Sequence, residues 1–176
     1  NVGGVTGNTI EYGGSIGVRS KIGRGTVFTV LLPRISVDAL NGSESELEFP
    51  ANKETILLVD DEQALVDLGH DILENLGYVV ECSTDPLNAL DVFRTNPQRF
   101  DLVITDMTMP QMTGEELAKN LVRIRPDIPI VLCVGFNEVI SEENAKKLGV
   151  RALEMKPLKP KELAQTVRAV LESKTA

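Results

Sequence analysis

Four ionic side chains follow short apolar runs in this chain: Asp60 and Asp61 after Ile56-Leu57-Leu58-Val59, Asp106 after Leu102-Val103-Ile104-Thr105, and Lys156 shortly after Ala152-Leu153. They are 45 and 50 residues apart, so only a fold can bring them together. Gathered carboxylates repel and raise one another's pKa unless a cation neutralises them. A hard divalent ion does so through oxygen ligands, and Mg²⁺ in particular takes one or two carboxylates and reaches for phosphate oxygens. A carboxylate can also attack phosphorus and become an aspartyl-phosphate, while a nearby ammonium pairs with the incoming phosphoryl oxygens. A single Asp after a strand is more often a turn residue or helix cap, and Asp60 or Asp61 could cap the helix that follows. Four charges on one sheet edge argue for chemistry instead.

The positioning elements are legible from Glu54 onward. The continuous run at 56–59 suits a strand buried on both faces. A helix follows with Leu65, Leu68, Ile72, Leu73 and Leu76 at helical spacing, closed by Gly77. Tyr78-Val79-Val80 reads as a strand, and a helix from about Pro86 carries Leu87, Leu90 and Phe93 on one face. Leu102-Val103-Ile104 is a third strand, Gly114 to about Ile124 a helix, and Ile128 to Val134 a fourth strand. A helix from Val139 to Leu148, a short strand at Ala152-Leu153 and a helix from Pro160 to Leu171 complete the series. Five β-then-α units predict an α/β fold, a five-stranded parallel doubly wound sheet with helices on both faces. Ligands of such sheets bind at the carboxyl ends of the strands, where the four charges fall.

The first 53 residues differ in texture. Residues 1–34 are rich in glycine, and Ser15 to Ser20 and Thr26 to Leu32 read as strands around the turn Lys21-Ile22-Gly23-Arg24-Gly25. A lone hairpin is marginal in water and needs cover for its apolar face. Residues 35–53, with Asp38, Glu44, Glu46 and Glu48 among Asn, Gly and Ser, have linker composition. The chain carries a net charge of −8, all of it after Lys53, which makes nucleic acid an unfavoured partner. No apolar run nears the ~18–20 residues that span a bilayer. The two cysteines, Cys82 and Cys133, are read as buried thiols in a reducing, cytoplasmic setting. One histidine, His70, is too few for a zinc cluster and reads as a helix-surface residue. Met107, Met109 and Met112 read as loop and core packing.

In combination, Leu58-Val59-Asp60-Asp61, the block Asp101 to Pro110 with Gly114, and Met155-Lys156-Pro157-Leu158 resemble the receiver domain of two-component signalling, across about residues 54–174. The resemblance implies a flavodoxin-like receiver fold in which Asp106 accepts a phosphoryl group from a phosphohistidine on a partner and later loses it to water. It implies Mg²⁺ held by Asp61, Asp106 and the backbone carbonyl of Thr108, with Asp60 acting through water, and Lys156 contacting the phosphoryl group. The surface from roughly Val139 to Lys156, helix four and strand five of such a domain, is where a homodimer or a docked partner is expected. Two positions depart from the family pattern. Val134 stands where a Thr or Ser hydroxyl is usual, and Leu153 where a Tyr or Phe is usual, so the implied conformational switch is atypical.

Residues 12–33 are similar to the end of a histidine-kinase ATP-binding domain, its last helix turn and terminal hairpin. The nucleotide and Mg²⁺ motifs of that domain are absent from the sequence, and no phosphate-binding glycine motif appears in residues 1–7, so ATP binding is not expected. The implied organisation is a kinase remnant at 1–34, a linker at 35–53 and a receiver at 54–176, as in a hybrid sensor kinase that is membrane-associated elsewhere. Two other readings stand beside it: a phosphate-independent interaction module, and a piece of an ATP-dependent histidine kinase.

Overall fold

The computed structural model describes residues 3–9, 15–32, 54–135, 145 and 148–173. The chain divides into two compact units, Asn1–Leu47 and Glu48–Ala176. The expected linker at 35–53 and most of the expected helix from Val139 to Leu148 lie outside the described residues, so the expected docking surface from Val139 to Lys156 is described only at 145 and 148–156; Ala145 is buried.

In the first unit β1 (Gly3–Thr9), β2 (Ser15–Lys21) and β3 (Gly25–Leu31) form an antiparallel sheet in that order. The expected hairpin is present, with Val18 opposite Phe28 and Ile16 opposite Val30. The third strand was not expected. Gly3, Gly4 and Gly7 dilute its strand propensity, and the backbone ladder to β2 defines it. Val27, Phe28, Val30 and Leu31 stand exposed, Phe28 by 67%.

The second unit has a five-stranded parallel sheet in the order β5-β4-β6-β7-β8, from β4 (Thr55–Val59), β5 (Val79–Ser83), β6 (Leu102–Asp106), β7 (Ile130–Val134) and β8 (Val150–Met155). Successive residues of a strand point to opposite faces, so each apolar run feeds two cores. Leu57, Val59, Val103, Leu132 and Val134 pack with Phe93 of α2 (Pro86–Thr95) and with Leu117 and Leu121 of α3 (Gly114–Ile124). Ile56, Leu58, Ile104, Val131 and Cys133 pack with Ile72 and Leu73 of α1 (Gln63–Asn75) and with Leu163 and Val167 of α4 (Pro160–Glu172). The helices start where local chemistry satisfies their free N–H groups. The Asp85 side chain accepts from Leu87 and Asn88 ahead of α2, and Thr113 and Glu116 form a reciprocal capping box on α3.

Several expectations are corrected. The buried stripe of α1 runs through Val66, Gly69, Ile72 and Leu73, leaving Leu68 exposed, and α2 buries Ala89 while Leu87 is exposed. Neither Asp60 nor Asp61 caps α1; the residue before it is Glu62, whose side chain makes no cap bond. The second strand begins one residue late and runs on to Ser83, as an edge strand that is not a continuous apolar run. For the same reason Cys82 is exposed, while Cys133, on a central strand, is buried. His70 is partly exposed beside Asp71 and Glu74, and Met109 is buried in the core.

Phe93 is fully buried and stacks on Phe100 at a centroid distance of 5.8 Å. Phe93→Ala should therefore lower unfolding stability by about 3–5 kcal/mol in urea titration. Cys82→Ser, on the exposed edge, should change it by no more than about 0.5 kcal/mol.

Candidate functional site

Each site residue sits at a strand end whose backbone is tied to its neighbour beyond the regular ladder. The Asp60 N–H donates to the Ser83 carbonyl at 3.2 Å, that of Met107 to Cys133 at 2.9 Å and that of Lys156 to Val134 at 2.9 Å. The ends of β6 and β8 are thus both tied to β7, and the end of β4 to β5. The site lies where the strand order reverses, with the first strand, β4, between β5 and β6, as expected for an open α/β sheet.

Lys156 Nζ donates to Asp60 Oδ2 at 2.7 Å and pairs with Asp106 Oδ1 at 2.7 Å. Both carboxylates are buried, Asp60 at 4% and Asp106 at 5% exposure. Their other oxygens are used as well: Asp60 Oδ1 accepts from the Glu62 N–H and Asp106 Oδ2 from the Thr108 N–H, each at 3.0 Å. Burial pushes the Asp106 carboxyl above the ordinary carboxylate range, against the hydrogen bond and charge of Lys156. Burial disfavours the Lys156 ammonium too, but its hydrogen bonds to Asp106 and Asp60 prevail and hold it protonated above the usual lysine range.

Three of the four expected charges therefore converge. Asp61 stands exposed one residue beyond Asp60, and no group of three acidic, His or Cys side chains is gathered as a metal set among the described residues. The Thr108 N–H donates to Asp106 Oδ2. Val134 is buried, and Leu153 packs partly buried against the same apolar cluster. The donors offered here, the carboxylate oxygens of Asp60 and Asp106, are hard oxygens of the kind Mg²⁺ prefers.

The residue that sequence reading underweighted is Gly114. A Cβ there would lie 2.1 Å from the Asp106 carbonyl oxygen and 2.7 Å from Leu132 Cδ1, so the start of α3 touches the backbone that carries Asp106. Its N–H bonds to the Met107 carbonyl at 2.9 Å. The sequence signalled Gly114 only as part of a motif; the reason is this close approach.

The family model for the response regulator receiver domain matches residues 56–168. The chain belongs to that family. The chain is 31% identical over 171 residues to the sensor kinase CckA of Brucella abortus, covering 92% of this chain and 18% of that protein. To the aerobic respiration control sensor protein ArcB of Escherichia coli it is 29% identical over 151 residues, covering 84% and 19%. It thus spans about a fifth of the length of these two curated kinases. Among solved structures, a CheY-like receiver domain protein from Methanospirillum hungatei superposes with a TM-score of 0.63 at 30% identity, covering 70% of this chain and 98% of that one. The chemotaxis protein CheY4 of Vibrio cholerae does so with a TM-score of 0.61 at 29% identity, covering 68% and 99%. This receiver has the CheY-like fold of two-component signalling, a family whose acidic site generally binds Mg²⁺. In hybrid kinases, receivers take phosphate from histidine phosphotransfer partners. No helix among the described residues is long and apolar enough to cross a membrane.

Two outcomes follow for the receiver. Gly114→Ala forces overlap with backbone and should cost about 1–3 kcal/mol of stability. Because the folded-state pKa of Asp106 is raised, its stabilising contribution is present below the ordinary carboxylate range and is lost as pH rises through the raised value. In metal-free buffer Asp106→Asn should therefore melt higher than the wild type at neutral pH, and the gap should close on acidification.

Proposed function

We propose that this chain is the phosphoacceptor receiver of a hybrid sensor kinase, with Asp106 as the phosphorylated residue. The observation that carries the reading is the single ammonium of Lys156 shared by the buried carboxylates of Asp60 and Asp106. An Asp106 oxygen attacks the phosphorus of a phosphohistidine on a partner. The oxygen–phosphorus bond forms as the phosphorus–nitrogen bond breaks, and the electron pair returns to the imidazole. Lys156 shifts from the carboxylate pair toward the phosphoryl oxygens as a point charge, and the Thr108 N–H, already on Asp106, holds the acceptor in line. Asp61, Asp106 and the Thr108 carbonyl would hold Mg²⁺, with Asp60 acting through water. When bound, the ion neutralises phosphoryl charge. Hydrolysis later returns Asp106 to its free form.

In this reading residues 1–34 are the end of a kinase ATP-binding domain, 35–53 a linker and 54–176 the receiver. The parent kinase works at the cytoplasmic side of a membrane, and the surface from Val139 to Lys156 serves a homodimer or a docked partner. The alignment with CckA supports the organisation because it extends over 92% of the chain, beyond the receiver itself. The exposed apolar residues of β3 support it too, since such a sheet needs a partner layer.

A second reading, a phosphate-independent interaction module, is favoured by Val134 and Leu153, which offer no hydroxyl or ring to a switch. Incubation with Mg²⁺ and acetyl phosphate separates the two. The phosphoacceptor should gain the mass of one phosphoryl group, lose it on standing, and gain none as Asp106→Asn. Absence of any Mg²⁺-dependent gain in the wild type would leave the interaction module as the better account.

A further inference from the structure

Residues flanking the shared ammonium converge on one place in α1. A Cβ at Gly69 would lie 2.9 Å from Leu58 Cδ2 and 3.8 Å from Leu158 Cδ1. Leu58 is two residues before Asp60, and Leu158 two residues after Lys156. The bare Gly69 thus lets the helix rest on both arms that carry the ion pair. The start of α1 is tied to the same pair, because Asp60 Oδ1 accepts the N–H of Glu62, the residue that precedes the helix. The opposite side of the site is built differently. Val134 and Leu153 share one apolar cluster and present no polar group that a phosphoryl oxygen could recruit.

We propose that Gly69 is a positioning residue, seating α1 on Leu58 and Leu158 so that the helix sets the Lys156–Asp60 pair and is the element that moves when Asp106 is phosphorylated. This rests on the phosphoacceptor reading above. Transfer of Lys156 to a phosphoryl group takes from Asp60 its ammonium partner and leaves it the Glu62 N–H, and that change reaches α1 at Glu62 and, through Leu158, at Gly69. Coupling of this kind is reciprocal: a helix held off its seat must weaken the pair.

The test uses the full chain with Mg²⁺ and beryllofluoride as the phosphoryl mimic, followed by amide NMR, and acetyl phosphate for rates. The amides of Val66, Gly69, Ile72 and Leu73 should shift more than those of Val150 to Leu153, and Asp106→Asn should abolish the shifts. Gly69→Ala should slow acetyl-phosphate labelling roughly ten-fold by displacing the pair. Adding Leu58→Val, which removes the Cδ2 atom that the new methyl would meet, should restore the rate to within about three-fold of the wild type while leaving the Gly69→Ala change in place. Labelling that proceeds with α1 silent and β8 shifted overturns the inference alone. So does a Gly69→Ala defect that persists although Leu58→Val has recovered the melting temperature. A wild type that is not labelled and does not bind beryllofluoride overturns the phosphoacceptor reading and this inference with it.

Discussion

One ammonium between two buried carboxylates is the constraint on which the second unit depends. Asp60 and Asp106 come from adjacent strands, β4 and β6, and without a cation between them their proximity would cost several kcal/mol. Lys156 supplies that cation from β8, on the far edge of the sheet. It reaches across because β7 holds the end of β8 through the Val134 carbonyl. The parallel order, the buried apolar runs and the two helical layers all serve to hold three strand ends in register at one rim. Removing the lysine would leave two buried charges facing each other, whereas removing one carboxylate would leave a pair still matched.

That arrangement is held at a cost to stability. Burial pushes the Asp106 carboxyl above its ordinary range, and Lys156 offsets only part of that push. Groups poised in this way are typical of functional sites, where stability is spent on reactivity. A poorly solvated carboxylate, with one oxygen held by the Thr108 N–H and the other by Lys156, is in the proposed reading organised for attack on phosphorus. On this view Lys156 has two roles in sequence: it neutralises the empty site, then stabilises the filled one.

Much of this was legible in the sequence because it rests on residue type at strand ends. Central strands read as continuous apolar runs, so β4, β6 and β7, with Asp60 after β4 and Asp106 at the end of β6, could be placed without coordinates. The edge was harder: β5 mixes Val79 and Val80 with Glu81 and Ser83, and Cys82 looked buried when its place on the edge strand leaves it exposed. Helical spacing located α1 but not its inner face, since Leu68 satisfies the periodicity as well as Gly69 does and only the contact with Leu58 decides between them. Gly114 and Gly69 were opaque for a common reason. What a glycine permits depends on the atoms opposite it, and those come from distant segments. β1 was missed because its pairing, rather than its glycine-rich composition, makes it a strand.

Val134 and Leu153 bear on what kind of signal such a receiver carries. A switch needs an element with two arrangements whose balance the phosphoryl group can tip. Two aliphatic side chains packed in one cluster have no hydrogen bond to exchange, so they lack the differential contact that would favour one arrangement over the other. The polar exchange available is on the other side of the site, where Lys156, Asp60 and the Glu62 N–H form a continuous chain of charge-assisted hydrogen bonds into α1. If Asp106 is the phosphoacceptor, Val134 and Leu153 leave its bonds to Lys156 and to the Thr108 N–H untouched, and the proposed consequence of phosphorylation passes to the helix on which the ion pair leans.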